Sequence, residues 1–175
     1  MRSWNKKQVE SLVAHRLMTV QRHHLEAEGE QREALVFDSV DWVNVVPLRD
    51  DGHVILVRQW RYGIEGTSLE IPGGLVDPGE SHRTAAVREL EEETGYRTGT
   101  IEKLAELSPN PALFNNAISF WLATDLEQVT DEPLGDGQEE IEVVTVPLDD
   151  IPRLAANGEI VHSLNLCAFY FLGLR

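Results

Sequence analysis

The sequence has little cysteine, few basic residues and no long apolar run. Its single cysteine, Cys167, excludes an intrachain disulfide and a zinc site built from several cysteines. It has 15 Lys and Arg residues but 30 Asp and Glu residues, and the resulting net charge of −15 opposes nonspecific binding to nucleic acid or to an anionic membrane. No segment approaches the roughly 20 apolar residues of a membrane span, and the N-terminal residues lack the apolar core of a secretory signal. We therefore expect a soluble cytoplasmic protein that binds neither nucleic acid nor membrane.

A chain of 175 residues with 42% hydrophobic residues is long enough to bury one sizeable core. It has no internal repeat, no low-complexity block and no long linker. We predict a single domain over residues 1–175.

Strand-like runs predict two β-hairpins, one turning at Glu28–Gly29 and one at Asp50-Asp51-Gly52. The first hairpin is residues 16–25 with 33–37, and the second is residues 42–48 with 54–62. Further strands are predicted at 68–71, 101–107, 117–123 and 141–146, and helices at 81–94, 148–157 and 163–172. Because the strands outnumber the helices and do not alternate with them, the pattern favours an α+β mixed-sheet sandwich over a doubly wound nucleotide-binding fold.

Residues 74–96, GLVDPGESHRTAAVRELEEETGY, combine a Pro/Gly loop with an acidic helix. Glu89, Glu92 and Glu93 stand at offsets of zero, three and four, which places their carboxylates on one face of that helix. Like charges so placed destabilise a helix unless cations neutralise them, and hard oxygen ligands favour Mg²⁺ or Mn²⁺. A solvated Glu-rich helix is the ordinary alternative, because Glu is a good helix former. The glycines that shape the loops at both ends favour the metal site.

These residues resemble a known motif. The pattern G-x5-E-x7-R-E-U-x-E-E-x-G-U of the Nudix box is matched by Gly74, Glu80, Arg88, Glu89, Leu90, Glu92, Glu93 and Gly95. Tyr96 stands at the final, usually aliphatic position, a departure that affects packing more than chemistry. The resemblance implies an α/β/α sandwich around a mixed β-sheet. It also implies hydrolysis of a nucleoside diphosphate linked to another group, with two or more Mg²⁺ or Mn²⁺ ions.

The resemblance assigns roles to residues of the box. Glu89 and Glu93 are implied as metal ligands, together with the backbone carbonyl of Gly73. Arg88 and Glu80 are expected to orient the acidic residues by hydrogen bonds.

The general base stays open between two residues. Glu92 is implied either as a metal ligand or as the group that positions water. Residues 135–151 resemble a catalytic loop and the final strand of the family, in which Glu139 falls at the position of a metal ligand or general base. Glu140 is its immediate competitor.

Resemblance outside the box indicates the subgroup. Residues 54–74 are similar to ADP-ribose and nucleotide-sugar pyrophosphatases, in which L-V-R-Q-x-R and L-E-x-P-G-G recur. Arg61 becomes a candidate for diphosphate recognition, since a guanidinium binds phosphate oxygens in a bidentate manner. Arg58 is either a second such group or a solvated residue. Glu70 is expected either to bind substrate or to cap a strand end.

Pro111 lies close to the position of a proline in ADP-ribose hydrolases. Asn115 and Asn116 replace the acidic pair that many of those enzymes carry, which favours a broader nucleoside diphosphate sugar hydrolase over strict ADP-ribose specificity. Trp42 is a candidate for stacking on the base, against the ordinary interpretation of a core or interface tryptophan.

The resemblance also predicts an N-terminal β-hairpin extension over residues 1–40, ahead of a catalytic core over 41–175. In relatives such a hairpin exchanges between subunits, so we expect a homodimer. The expected products are a nucleoside monophosphate and a sugar phosphate. The alternatives are a nucleoside triphosphate or dinucleoside polyphosphate hydrolase and a non-catalytic module that binds ADP-ribose.

Overall fold

The structure, a computed structural model, describes residues 1–130 and 140–173. The chain divides into two compact units, Met1–Asp41 with Leu107–Ala117 and Trp42–Glu106 with Ile118–Arg175. In the described ranges, no helix has both the length and the apolar character that crossing a membrane requires.

The first unit contains an antiparallel sheet of three strands in the order β1-β2-β3. The strands are β1 (Asn5–Ala14), β2 (Met18–Ala27) and β3 (Glu30–Ser39). Glu28 (φ 52°) and Gly29 (φ 83°) are both left-handed, as a tight turn that matches the twist of the flanking strands requires. The predicted N-terminal hairpin is therefore confirmed. Strand β1 was not predicted, because all ten of its residues are exposed and its sequence carries no buried alternation.

Residues 107–117 join β3 in the first unit. The N–H of Phe37 donates to the carbonyl of Leu113 over 2.7 Å, and the rings of Phe37 and Phe114 lie 5.1 Å apart. Asn115 Nδ2 donates to Asp38 Oδ1. The segment that carries Pro111 is thus tied to the N-terminal sheet through contacts distant in sequence.

The second unit contains two sheets in its described residues. Its strands are β4 (Trp42–Pro47), β5 (His53–Arg61), β6 (Gly66–Glu70), β7 (Gly73–Leu75), β8 (Tyr96–Leu107), β9 (Ile118–Gln128) and β10 (Ile141–Pro147). One sheet has the order β7-β4-β9-β8 and the other the order β10-β5-β6. Strand β4 runs parallel to β9 and antiparallel to β7, so the first of these sheets is mixed, as predicted.

The second predicted hairpin is wrong in its pairing. The turn forms, with the N–H of Gly52 donating to the carbonyl of Arg49, but β4 and β5 belong to different sheets. An isolated bridge between Leu48 and Val54 marks the point where the strands diverge. Most of β4 and the first half of β5, residues 54–57, are apolar and buried on both faces, which suits strands packed inside a layered core.

Three helices cover these sheets in the described part of the second unit. They are α1 (His82–Thr94), α2 (Ile151–Ala156), which follows a 3₁₀ turn at Leu148–Asp150, and α3 (Ser163–Leu172). Helix α1 begins after Ser81, whose Oγ accepts a hydrogen bond from the N–H of Thr84, and ends at Gly95 with φ 73°. These bounds confirm the predicted helix at 81–94. The α+β mixed-sheet architecture with an N-terminal hairpin is confirmed as well.

Two apolar clusters of described residues hold the second unit together. One packs Leu90 and Ala86 of α1 against Val43, Val45 and Trp121. The other joins both sheets to α2 and α3. Because one side of α1 is buried in the first cluster, its acidic side is held next to β5 and β7.

Candidate active site

Arg88 lies at the centre of the acidic cluster. Its Nη1 donates to Glu89 Oε1 over 2.8 Å and to Glu92 Oε2 over 3.0 Å. Its Nε and Nη2 donate to the two carboxylate oxygens of Glu80 over 3.1 and 3.0 Å, and Nη2 also donates to the carbonyl of Leu75. One guanidinium therefore connects three carboxylates. Hydrogen bonds from Arg88 hold the pKa of Glu80 below its ordinary value.

Glu93 has a different kind of surroundings. Its side chain is buried, with the residue 7% exposed, and neither of its two hydrogen-bond donors in the described structure is charged. Gln59 Nε2 donates to Oε1 over 2.9 Å, and the N–H of Gly73 donates to Oε2 over 2.9 Å. Burial raises the pKa of Glu93 to about 8, and the charge of Glu89 adds to the rise.

Sequence reasoning missed Gln59. In β5 the buried residues Val57 and Gln59 are two positions apart and therefore share a face of the strand. A glutamine on the buried face of a strand was the available signal, because a buried amide needs a polar partner.

Two glycines bring the backbone close to the carboxylates. A Cβ on Gly74 would lie 2.3–2.7 Å from the carboxylate atoms of Glu89. A Cβ on Gly73 would lie 2.2 Å from the carbonyl oxygen of Val43 and 2.4 Å from Asn44 Nδ2. Strand β7 therefore accepts only glycine at these positions if it is to lie between β4 and α1.

The donor chemistry of this cluster fits a divalent cation. Burial also raises the pKa of Glu89, and a buried carboxylate whose anion is destabilised gains most from a cation. Carboxylate oxygens and the nearby carbonyl of Gly73 are hard ligands suited to Mg²⁺ or Mn²⁺. Within residues 1–130 and 140–173, no three carboxylate, imidazole or thiol groups are already gathered as a metal cage. Arg88 occupies oxygens of Glu89 and Glu92, and Glu139 lies outside the described residues.

Arg61 and Glu70, two predicted substrate residues, are paired with each other. Arg61 Nε and Nη2 donate to the two oxygens of Glu70 over 2.9 and 2.8 Å. Glu70 is 4% exposed, and burial alone would raise its pKa. The hydrogen bonds and charge of Arg61 outweigh burial and hold that pKa below its ordinary value. The pair fixes the guanidinium beside Glu70, the last residue of β6.

The remaining candidates are dispersed. Arg58 Nε donates to Glu142 Oε2 of β10 over 3.0 Å. Trp42 is partly buried and packs against the apolar cluster that joins the two sheets. Glu140 is exposed, and Pro111 is exposed in the first unit.

Comparison with known proteins agrees with the motif. The NUDIX domain model matches residues 39–164. The chain is 34% identical over 167 residues to the ADP compounds hydrolase NudE of Escherichia coli (strain K12), covering 94% of this chain and 88% of that protein. It is 32% identical over 133 residues to the ADP-ribose pyrophosphatase of Bacillus subtilis (strain 168), covering 76% of this chain and 72% of that protein.

A solved structure shares the fold. The crystal structure of an ADP compounds hydrolase matches with a TM-score of 0.85 at 31% identity, covering 97% of this chain and 91% of that chain. A mixed sheet that carries an acidic helix behind a glycine loop, together with these matches, defines a hydrolase of phosphorus-containing anhydrides. The chain belongs to the NUDIX domain family.

Proposed function

We propose that the protein hydrolyses the diphosphate linkage of ADP-ribose or another nucleoside diphosphate sugar to a nucleoside monophosphate and a sugar phosphate. The observation that supports this most is the buried Glu93 beside Glu89 and the Gly73–Gly74 backbone. The names of the relatives, an ADP compounds hydrolase and an ADP-ribose pyrophosphatase, support the substrate class.

The proposed cofactor is Mg²⁺ or Mn²⁺, with two or more ions. The carboxylates of Glu89, Glu92, Glu93 and Glu139 and the carbonyl of Gly73 would hold them. Such ions screen the charge of a diphosphate and lower the pKa of bound water. An acidic chain thereby binds an acidic substrate.

Different side chains of the protein have different roles in the proposed hydrolysis. Arg88, with Glu80, holds Glu89 and Glu92 in place. Either Glu92 or Glu139 acts as general base by taking a proton from the attacking water. The guanidinium of Arg61, held on one edge by Glu70, recognises phosphate oxygens. Roles for Arg58, Pro111 and Trp42 in substrate binding stay predictions.

We also propose a homodimer that forms through residues 1–40. Val9, Leu12 and Val13 are exposed apolar residues of β1, and β1 is an edge strand of its sheet. An exposed edge of this kind invites pairing with a second chain. Light scattering on the purified protein tests the proposal, and a monomeric mass contradicts it.

A substrate panel tests the proposed activity. ADP-ribose, other nucleotide sugars, a dinucleoside polyphosphate and 8-oxo-dGTP are each incubated with Mg²⁺ or Mn²⁺, and the phosphorylated products are identified. We expect fastest turnover of a nucleotide sugar and loss of turnover on addition of a chelator. Faster turnover of 8-oxo-dGTP than of any sugar nucleotide favours the triphosphate alternative. Tight binding of ADP-ribose without turnover favours a sensing module.

A further inference from the structure

Building on the proposed function, we propose that Gln59 is a positioning residue for the metal site. It fixes the carboxylate of Glu93 through a neutral donor, which adds no positive charge of its own and leaves the carboxylate available to the cation. Neither the Nudix box nor the resemblance outside it assigns this role to Gln59.

The geometry fixes both oxygens of Glu93. Gln59 Nε2 lies 2.9 Å from Oε1, and the N–H of Gly73 lies 2.9 Å from Oε2. These donors come from β5 and β7, two strands of different sheets, so the carboxylate plane is defined from two sides. A carboxylate oxygen has about two acceptor sites, and one hydrogen bond to each oxygen leaves a site on each for a metal ion.

The chemical type of residue 59 matters because Gln59 and Glu93 are both buried. Gln59 is 4% exposed. An apolar side chain at this position would leave a buried carboxylate oxygen without its donor. A lysine would neutralise Glu93 and compete with a metal ion, while a second carboxylate would repel it. A glutamine amide satisfies the oxygen without offsetting its charge.

The contrast with Arg88 supports this interpretation. Arg88 brings a positive charge to Glu80, Glu89 and Glu92, and its side chain is partly exposed. The two hydrogen-bond donors of Glu93 in the described structure are neutral, and the charge of Arg61 acts on it without a hydrogen bond. Among the box glutamates, Glu93 is therefore the one whose charge has no cationic partner within the distance of an ion pair in the described residues.

The experiment measures the affinity of the purified protein for Mn²⁺ alone, by calorimetry and by electron paramagnetic resonance of free Mn²⁺. We expect Gln59→Met to weaken binding by about 10- to 100-fold, as loss of a partner of a metal ligand does. We expect Gln59→Lys to weaken it further. Gln128→Met is the matched control, because it makes the same change at an exposed glutamine of β9 and should leave affinity unchanged.

Two outcomes separate this inference from the proposed function. If Glu93→Gln leaves Mn²⁺ affinity unchanged, the assignment of Glu93 as a ligand fails. If Glu93→Gln weakens binding but folded Gln59→Met binds Mn²⁺ like the unaltered protein, the role of Gln59 alone is overturned. Should Gln59→Met not fold, Gln59→Asn takes its place, since the shorter amide no longer reaches Oε1; unchanged affinity of that variant equally overturns the inference.

Discussion

Glu89 and Glu93 stand one turn apart on the same helix, and both are largely buried, yet they are held in opposite ways. Glu89 accepts a hydrogen bond from the Arg88 guanidinium over 2.8 Å, whereas Glu93 accepts from an amide and a backbone N–H. At the first position the charge of Arg88 offsets part of the cost of burying the carboxylate, although burial still raises its pKa. At the second the fold orients the carboxylate through neutral donors, and only the charge of Arg61 acts on it without a hydrogen bond.

This difference shows how helix α1 and the loop before it can carry an acidic cluster and stay stable. Arg88 offsets the repulsion that the like charges of Glu80, Glu89 and Glu92 would otherwise cause. Burial still raises the pKa of both Glu89 and Glu93, so both carboxylates gain from a metal ion. The predictions below alter one side of this comparison at a time.

Glu93→Gln should have the largest effect on activity. A neutral amide cannot supply the charge that a cation needs, so we expect kcat to fall on the order of a thousandfold, equivalent to about 4 kcal/mol. Steady-state kinetics with the preferred nucleotide sugar measures this. Substrate binding should partly survive, and unaltered turnover would contradict the role of Glu93.

Arg88→Met should lower stability in the absence of metal. It removes the shared donor of three carboxylates, and we expect the free energy of unfolding to fall by about 2–4 kcal/mol in chelator. Urea denaturation with and without Mg²⁺ measures the loss, which Mg²⁺ should partly restore. Arg97→Met, which removes an exposed arginine paired with Glu91, is the control; equal behaviour of the two variants would refute the prediction.

Gly74→Ala should disturb Glu89 without changing any charge. The new methyl group would lie 2.3–2.7 Å from the Glu89 carboxylate, which must move away from its position. We expect about a 10- to 100-fold loss of turnover. Gly63→Ala is the control, because its methyl group meets no atom within 4 Å. Matching kinetics for the two alanine variants would show that the close contact has no importance.

The stability of the metal-free protein should depend on pH through Glu93. Its pKa is about 8 in the folded protein against an ordinary value of 4.5, so protonation stabilises the fold. This contribution is complete below pH 4.5 and is lost as pH rises through 8, with a slope of at most about 1.4 kcal/mol per pH unit. Denaturation in chelator across this range, compared with Glu93→Gln, isolates the slope; parallel curves would rule it out.

Glu91→Gln should have the smallest effect. In the described structure Glu91 pairs with exposed Arg97 and forms no hydrogen bond or ion pair with Arg88. Exposed ion pairs contribute little to stability. We expect neither the urea midpoint nor kcat to change measurably, and a clear loss of turnover would place this residue in the site as well.

The features that depend on residues close in sequence could be predicted from the sequence alone. Helix α1 has its cap at Ser81 and its end at Gly95, as the sequence indicates, because capping depends on residues within one turn. The box residues are close in sequence as well as in space. Their grouping around Arg88 follows from helical spacing and the preceding loop.

The features that could not be predicted depend on contacts between residues far apart in the sequence. The separation of β4 and β5 into two sheets depends on β9 and β10, far along the chain, and no turn residue encodes it. Gln59 contacts Glu93 only because β5 packs on α1. Arg61 pairs with Glu70 although the register of β5 with β6 places Gly66 opposite Arg61 and Val57 opposite Glu70, so no cross-strand position predicts the pair. Such contacts need the tertiary fold. All residues of β1 are exposed, so its sequence has no alternation of buried and exposed positions from which the strand could be predicted.

The attachment of residues 107–117 to β3 bears on how far the N-terminus can be shortened. Phe37 and Asp38 supply hydrogen-bond partners to Leu113 and Asn115, so trimming the first 40 residues would strip support from a segment much later in the chain. A truncated protein should then be cleaved by broad-specificity proteases near that segment sooner than the full-length chain.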